Sequence, residues 1–363
     1  MVRPVDHNQT MPEDAIPTIL TATDPASVPG SLSSSDQAIP AKVAKAWPGW
    51  IKPAIKLVIG GIVLWAVGRQ LAITWDRWQS SATDFDLNLT ILISSGIAYA
   101  CGLIAFGIYY ARVVQMVAPE TATVSCLKAY ILSHPAKYVP GKGMVVVIRV
   151  GLLARSGVRP TAAMLTALYE TLSMMSIGGL LAGVMLFMPP SHWIGALLSW
   201  ALGAAFLCTV LPLTFGRAAR VLKKGLHAIE PGDLPKPTRS GLMGLLFWGM
   251  TGWLFWGMSQ VLVVAALAPE NSVSLAHWPR IMGAMMLGTV GGFALPVLPG
   301  GIGLREWIID ELTAGVIGPD LAIASALGLR FVWVVAELVA AAVVALMQIP
   351  LKTGPKPEEP SKV

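Results

Sequence analysis

Glu170, Arg330 and Glu337 stand inside runs of apolar residues, and Arg149, Arg305 and Glu306 stand beside breaks in such runs. A charge at the centre of a spanning helix costs about 2.5–3.5 kcal/mol on insertion scales, so a retained charge faces a partner, a wet cavity or a substrate. Arg330 and Glu337 are seven residues apart, two helical turns, and share one face. The plainer reading is a set of structural ion pairs, or cations that reach back to the interface. The placement of the charges beside helix breaks in both halves of the chain favours a site.

The breaks are Lys137-Tyr138-Val139-Pro140-Gly141-Lys142-Gly143 and Leu298-Pro299-Gly300-Gly301-Ile302-Gly303-Leu304-Arg305-Glu306. Proline removes a helix donor and glycine lets the backbone reverse. Pro140, Gly141, Pro299, Gly300, Gly301 and Gly303 therefore read as turn residues, and Lys137 and Lys142 as cations held at the first turn. Neither glycine stretch has the spacing of a nucleotide-binding P-loop with its Lys-Ser/Thr pair. A lipid phosphate on Lys142, Arg149 or Arg305 is the easier chemistry, because fixed cations and free backbone N–H groups suit an anion. The segment from Arg305 to Glu311 reads as amphipathic, lining a cavity or lying at the interface.

The elements that must position these residues are membrane helices. The hydrophobic fraction is 55% and charged residues make up only 13%, against about 25% in a globular chain. Six runs reach the length of about 20 apolar residues that crosses a hydrocarbon core: Ala54 to Ala72, Leu89 to Val114, Thr161 to Met188, Trp193 to Phe215, Gly241 to Ala268, and Leu321 to Ile349. Residues 1–46 are polar and rich in Pro, Ser and Thr, and are expected to be a disordered cytoplasmic tail without a signal peptide. Residues 47–350 form the transmembrane domain, and 351–363 a second cytoplasmic tail.

The net charge of +6 does not form a nucleic-acid groove. The cations gather in short loops: Arg217 to Arg239, Arg149 to Arg159, and Lys42 to Lys56. By the positive-inside rule these loops are cytoplasmic, as are both termini. With the flanking loops fixed, the stretch from Thr123 to Ile148 must enter and leave on the cytoplasmic side. The stretch from Arg280 to Pro319 must do so on the other. The expected fold is therefore all-α and polytopic, with six spanning helices and two re-entrant hairpins in an inverted repeat whose motif prolines stand 159 residues apart. Non-helical backbone survives at membrane depth only where protein or a watery cavity covers it. Cys101, Cys126 and Cys208 sit in apolar surroundings and read as free buried thiols, and the scattered histidines form no metal pattern. No cofactor is expected.

At Lys137 to Lys142, Arg149 and Glu170, and at Pro299 to Glu306, the chain resembles the lysylphosphatidylglycerol synthase transmembrane-region family of flippase-like membrane proteins. The resemblance runs from about Lys52 to Ile349. It implies a bacterial or archaeal inner-membrane protein that moves an anionic or modified phospholipid, for example an aminoacylated one, between leaflets. It also implies substrate contacts at Lys137, Lys142, Arg149, Glu170, Arg305 and Glu306. Where the family often has an aromatic residue after the Pro-Gly-Lys stretch, this chain has Gly143-Met144. The full synthases add a soluble acyltransferase-like domain after the membrane region, whereas this sequence ends at Val363. The expectation is a transporter and not an enzyme, driven by an ion or potential gradient or simply equilibrating. Two other readings stay open: a membrane partner of a separate synthase or glycosyltransferase, and a membrane-embedded lipid enzyme using Glu170 or Glu306 as acid/base.

Overall fold

The structure, a computed structural model, describes residues 87–138, 143–189, 191–225, 229–268, 273–294 and 303–347, with the isolated helical positions Trp65, Arg69 and Ala72. Outside the described residues lie the tails 1–46 and 351–363, most of the first expected span, and the turn residues Pro140, Gly141, Lys142, Pro299, Gly300 and Gly301. Among the described residues every element is helical. In chain order they are α1 (Leu89–Gln115), α2 (Thr123–Ser133), a 3-10 turn (His134–Tyr138), α3 (Gly143–Ala154), α4 (Pro160–Phe187), α5 (Trp193–Val210), α6 (Pro212–Gly225), α7 (Arg239–Leu267), α8 (Trp278–Ala294), α9 (Leu304–Ile317) and α10 (Pro319–Leu346), with further 3-10 turns at Pro231–Asp233 and Leu275–His277.

Five of these helices, α1, α4, α5, α7 and α10, are long and apolar enough to cross a membrane. The protein is an all-helical, multi-pass membrane protein. Local chemistry sets where the helices start. The Asn88 side chain accepts from the Ile91 N–H at 3.2 Å at the head of α1, and Thr238 accepts from Gly241 N–H at 3.1 Å at the head of α7. Pro160 and Pro319 open α4 and α10, where a missing N–H costs nothing.

One expected span is shorter than the sequence indicates. The run from Trp193 to Phe215 ends as α5 at Val210, and Pro212 opens a separate helix. Proline pushes the residue before it out of the helical region, and Leu211 is extended at φ −58°, ψ 141°. The new helix, α6, is amphipathic: Phe215 and Ala219 are buried, while Arg217 and Arg220 are exposed. A second correction concerns Arg149. Counted with the basic loop by sequence, it lies within α3 and is buried, which leaves Arg155 and Arg159 as the exposed cations of that loop. Cys208 is exposed on α5, and only Cys126 of the three free cysteines is buried.

The long helices pair: α1 lies along α7 and α4 along α5. In the first pair Tyr99, Leu103, Phe106 and Tyr110 recur at helical spacing on the buried face of α1, and Phe106 meets the Trp256 ring edge-on at 4.6 Å. In the second pair the backbones touch. A Cβ on Gly179 would stand 2.7 Å from the Gly203 Cα, so only glycine fits. The opposite face of α1 exposes Ile93, Ile97 and Ile104, an apolar row suited to lipid. The short helices α2 and α3 pack on each other, as do α8 and α9; α3 and α8 lie against α4, and α9 against α10.

Candidate functional site

Between these short helices and the long ones lies a cavity of about 410 Å³, within the usual range of ligand pockets. Of the residues selected by sequence, Lys137, Arg149, Glu170, Arg305 and Arg330 line it. Glu306 and Glu337 stand just behind, each bonded to a lining cation. Lys142 lies outside the described residues.

The first ion pair joins α3 to α4. Arg149 Nη1 donates to Glu170 Oε2 at 2.6 Å and its Nε to Ser133 Oγ at 3.0 Å. The guanidinium sits over the Tyr110 and Tyr130 rings, at 4.7 and 4.4 Å. Glu170 also accepts from the Thr171 hydroxyl at 3.1 Å. With both partners buried, Coulomb attraction alone would not offset desolvation, and the extra hydrogen bonds and ring contacts supply the rest.

The second pair joins α9 to α10. Arg330 Nη1 donates to Glu306 Oε1 at 2.6 Å. The other oxygen, Oε2, accepts from the Gly303 N–H at 2.7 Å. Gly303 has φ +87°, left-handed backbone that glycine takes without strain. The carboxylate thus ties the start of α9 to the middle of α10. Gly303 stands directly before α9 as its N-cap.

The third pair spans the sequence. Lys137, on the 3-10 turn after α2, donates to Glu337 Oε1 on α10 at 2.5 Å. The Tyr99 hydroxyl of α1 donates to the same oxygen. His134 Nε2 lies 3.2 Å from Lys137 Nζ and 3.3 Å from the Tyr99 hydroxyl, completing a four-residue polar cluster. Although Arg330 and Glu337 share a helix face, they serve different partners.

Arg305 is different. It is 8% exposed, its guanidinium stacks on the Trp333 ring at 4.1 Å, and its Nε and Nη2 have no hydrogen-bond partner. Trp333 in turn is held by Ser259, whose Oγ accepts from the indole N–H at 3.1 Å, and by the Tyr99 ring at 4.5 Å. Among the described residues four cations, Lys137, Arg149, Arg305 and Arg330, thus meet three carboxylates, Glu170, Glu306 and Glu337.

Sequence reasoning missed the aromatic and hydroxyl groups that hold these charges: Tyr99, Tyr110, Tyr130, Ser133, His134 and Trp333. The available signal was the polar tip on each, since a buried Tyr or Trp needs a partner for its O–H or N–H. Away from the cavity, Arg159 pairs with Glu230, and with Asp233 at 2.6 Å, tying the α3–α4 connection to the Pro231–Asp233 turn. The hydrogen bond to Glu230 raises the pKa of this exposed guanidinium.

Compared with known proteins, the chain matches no family model and no curated protein.

Proposed function

We propose that the protein is a flippase-like membrane transporter that moves a phospholipid, in native or modified form, between the leaflets of the cell's inner membrane. The observation that carries this reading is the pair of ion pairs, Arg149–Glu170 and Glu306–Arg330, on one cavity. Each links a short helix that starts within a motif to the long helix after it. Glu170 stands ten residues past Pro160 and Arg330 eleven past Pro319, and these two prolines are 159 residues apart, as are the motif prolines. The polarity is reversed between the halves: the cation is on the short helix in one and on the long helix in the other.

That correspondence supports an inverted repeat. In this reading α2–α3 and α8–α9 are re-entrant hairpins from opposite faces, and the first span and both termini follow the positive-inside assignment. A substrate site between two repeats, lined by short helices, is the arrangement that alternates access in many secondary transporters. With acyl chains left in the bilayer, the cavity needs to hold only a headgroup.

The test is lipid scrambling in reconstituted vesicles. Fluorescent phosphatidylglycerol and phosphatidylcholine should cross faster with the native protein than in protein-free vesicles. Arg149→Ala and Glu170→Ala variants that still fold should lose at least tenfold of that rate. No acceleration by the native chain, or variants as fast as the native chain, would overturn transport through this cavity.

A further inference from the structure

Among the described residues the cavity contains one cation more than it has carboxylates to meet. Arg149, Arg330 and Lys137 each hold a carboxylate at 2.6 Å or less. Arg305 has the Trp333 face and, among the described residues, no carboxylate within ion-pair distance. It is more than nine-tenths buried and lines the cavity, with Nε and Nη2 unpartnered. A buried guanidinium with unpartnered N–H groups is expensive. Its planar fork matches a phosphate or carboxylate, and the Trp333 ring holds that fork in one orientation.

The rest of the wall selects what carries the anion. Val146, Leu172, Met174, Met175 and Phe293 line the same space, which disfavours a small hydrated ion. Gly143 and Leu168 also line the cavity, yet both are exposed, so the cavity meets the protein surface there. Val147, one turn along α3, is exposed beside this opening at 59%. The described residues at this edge, Gly143, Val147 and Leu168, are apolar, as an exit for an acyl chain into lipid would be.

Resting on the transport reading above, we propose that Arg305 is the phosphate anchor of the cavity and selects an amphiphile of net negative charge, whose apolar part leaves past Gly143 and Leu168. A zwitterionic headgroup brings its own cation into a site that already has a surplus one. A phosphatidylglycerol-type headgroup brings a negative charge for Arg305, which no described carboxylate supplies. Glu306 sets the strength of the site from behind: it neutralises Arg330 and so keeps the surplus at one.

The experiment is native mass spectrometry of the full chain, purified and equilibrated with mixed dioleoyl phosphatidylglycerol and dioleoyl phosphatidylcholine. The native protein should retain one phosphatidylglycerol in preference to phosphatidylcholine. Arg305→Gln should cut that preference by about tenfold or more, the worth of a hydrogen bond to a charged group. Glu306→Gln, which frees Arg330, should raise it, and Arg220→Gln on exposed α6 should leave it unchanged. Should Arg305→Gln not fold, Arg305→Lys decides, since it keeps the charge without the planar fork: a several-fold weaker preference supports the anchor and a native-like preference overturns it. Glycerol phosphate and inorganic phosphate form the competing arm. Displacement of the lipid by either at low millimolar concentration would mark a soluble-anion site and overturn the amphiphile. Native-like retention by folded Arg305→Gln would overturn the anchor. Scrambling that persists in either case would leave the transport reading standing without it.

Discussion

Lys137 Nζ and Glu337 Oε1 lie 2.5 Å apart although 200 residues separate them. The contact is a direct bond between the 3-10 turn that leads into the first motif, at the motif's first residue, and the last long helix. Glu337 is buried, Lys137 is 28% exposed, and the second glutamate oxygen has no hydrogen-bond partner. A carboxylate in that position depends on its cation and on Tyr99.

Removing the lysine therefore strands a buried charge. Lys137→Met is expected to destabilise the protein by about 3 kcal/mol, the low end for a broken buried pair because the lysine keeps some solvent. Lys137→Met with Glu337→Met should recover most of that loss. Thermal unfolding of the two single variants and the double variant in detergent measures the coupling. Additive losses would show that the pair does not act as a unit.

At Arg149 the guanidinium makes two directed hydrogen bonds and lies over two tyrosine rings. Lysine has the charge without the flat fork. Arg149→Lys is expected to keep the fold, to cost about 1–2 kcal/mol through the lost Ser133 bond and ring contacts, and to slow lipid movement. A variant with native stability and native scrambling would remove Arg149 from the site.

The α4–α5 contact makes a sharper packing prediction. Gly179→Ala brings a Cβ into the Gly203 backbone, where neither side can yield, and should lower stability by about 1–3 kcal/mol. Gly216→Ala on α6 has open space around it and should be neutral or stabilising by about 0.5–1 kcal/mol. Thermal melts of the two variants side by side separate crowding from helix propensity.

Orientation is testable with single cysteines placed in a background lacking Cys101, Cys126 and Cys208. Ser274 and Arg220 are both exposed. A membrane-impermeant maleimide added outside intact cells should label Ser274→Cys and miss Arg220→Cys. The opposite pattern would invert the assignment made from the basic loops.

Much of the fold was legible because membrane helices depend on simple, local quantities. An apolar run of sufficient length declares itself, and the capping residues Asn88 and Thr238 and the prolines Pro160 and Pro319 mark helix starts within a residue or two. Pro212 was just as visible, but an unbroken hydropathy run hid it: hydropathy ignores the backbone, and the backbone is what a proline breaks. The buried charges were legible for the same reason, since each is costly wherever it sits in an apolar run.

Partner choice depends on geometry between segments that are distant in sequence. That Arg330 pairs with Glu306 and Glu337 with Lys137, although the first and third share a helix face, follows from which helices pack beside α10. The burial of Arg149 follows from α3 continuing to Ala154 against α4, where the sequence alone indicated a basic loop. Tyr99, Tyr130 and Trp333 become electrostatic partners only because packing brings their rings and hydroxyls to the charges. The sequence by itself determined that charges are kept inside an apolar helical protein. Tertiary packing alone decided that they meet at one cavity and that Arg305 is left there, among the described residues, without a carboxylate, because pairing energies fall off over a few ångströms and only the packed helices set those distances.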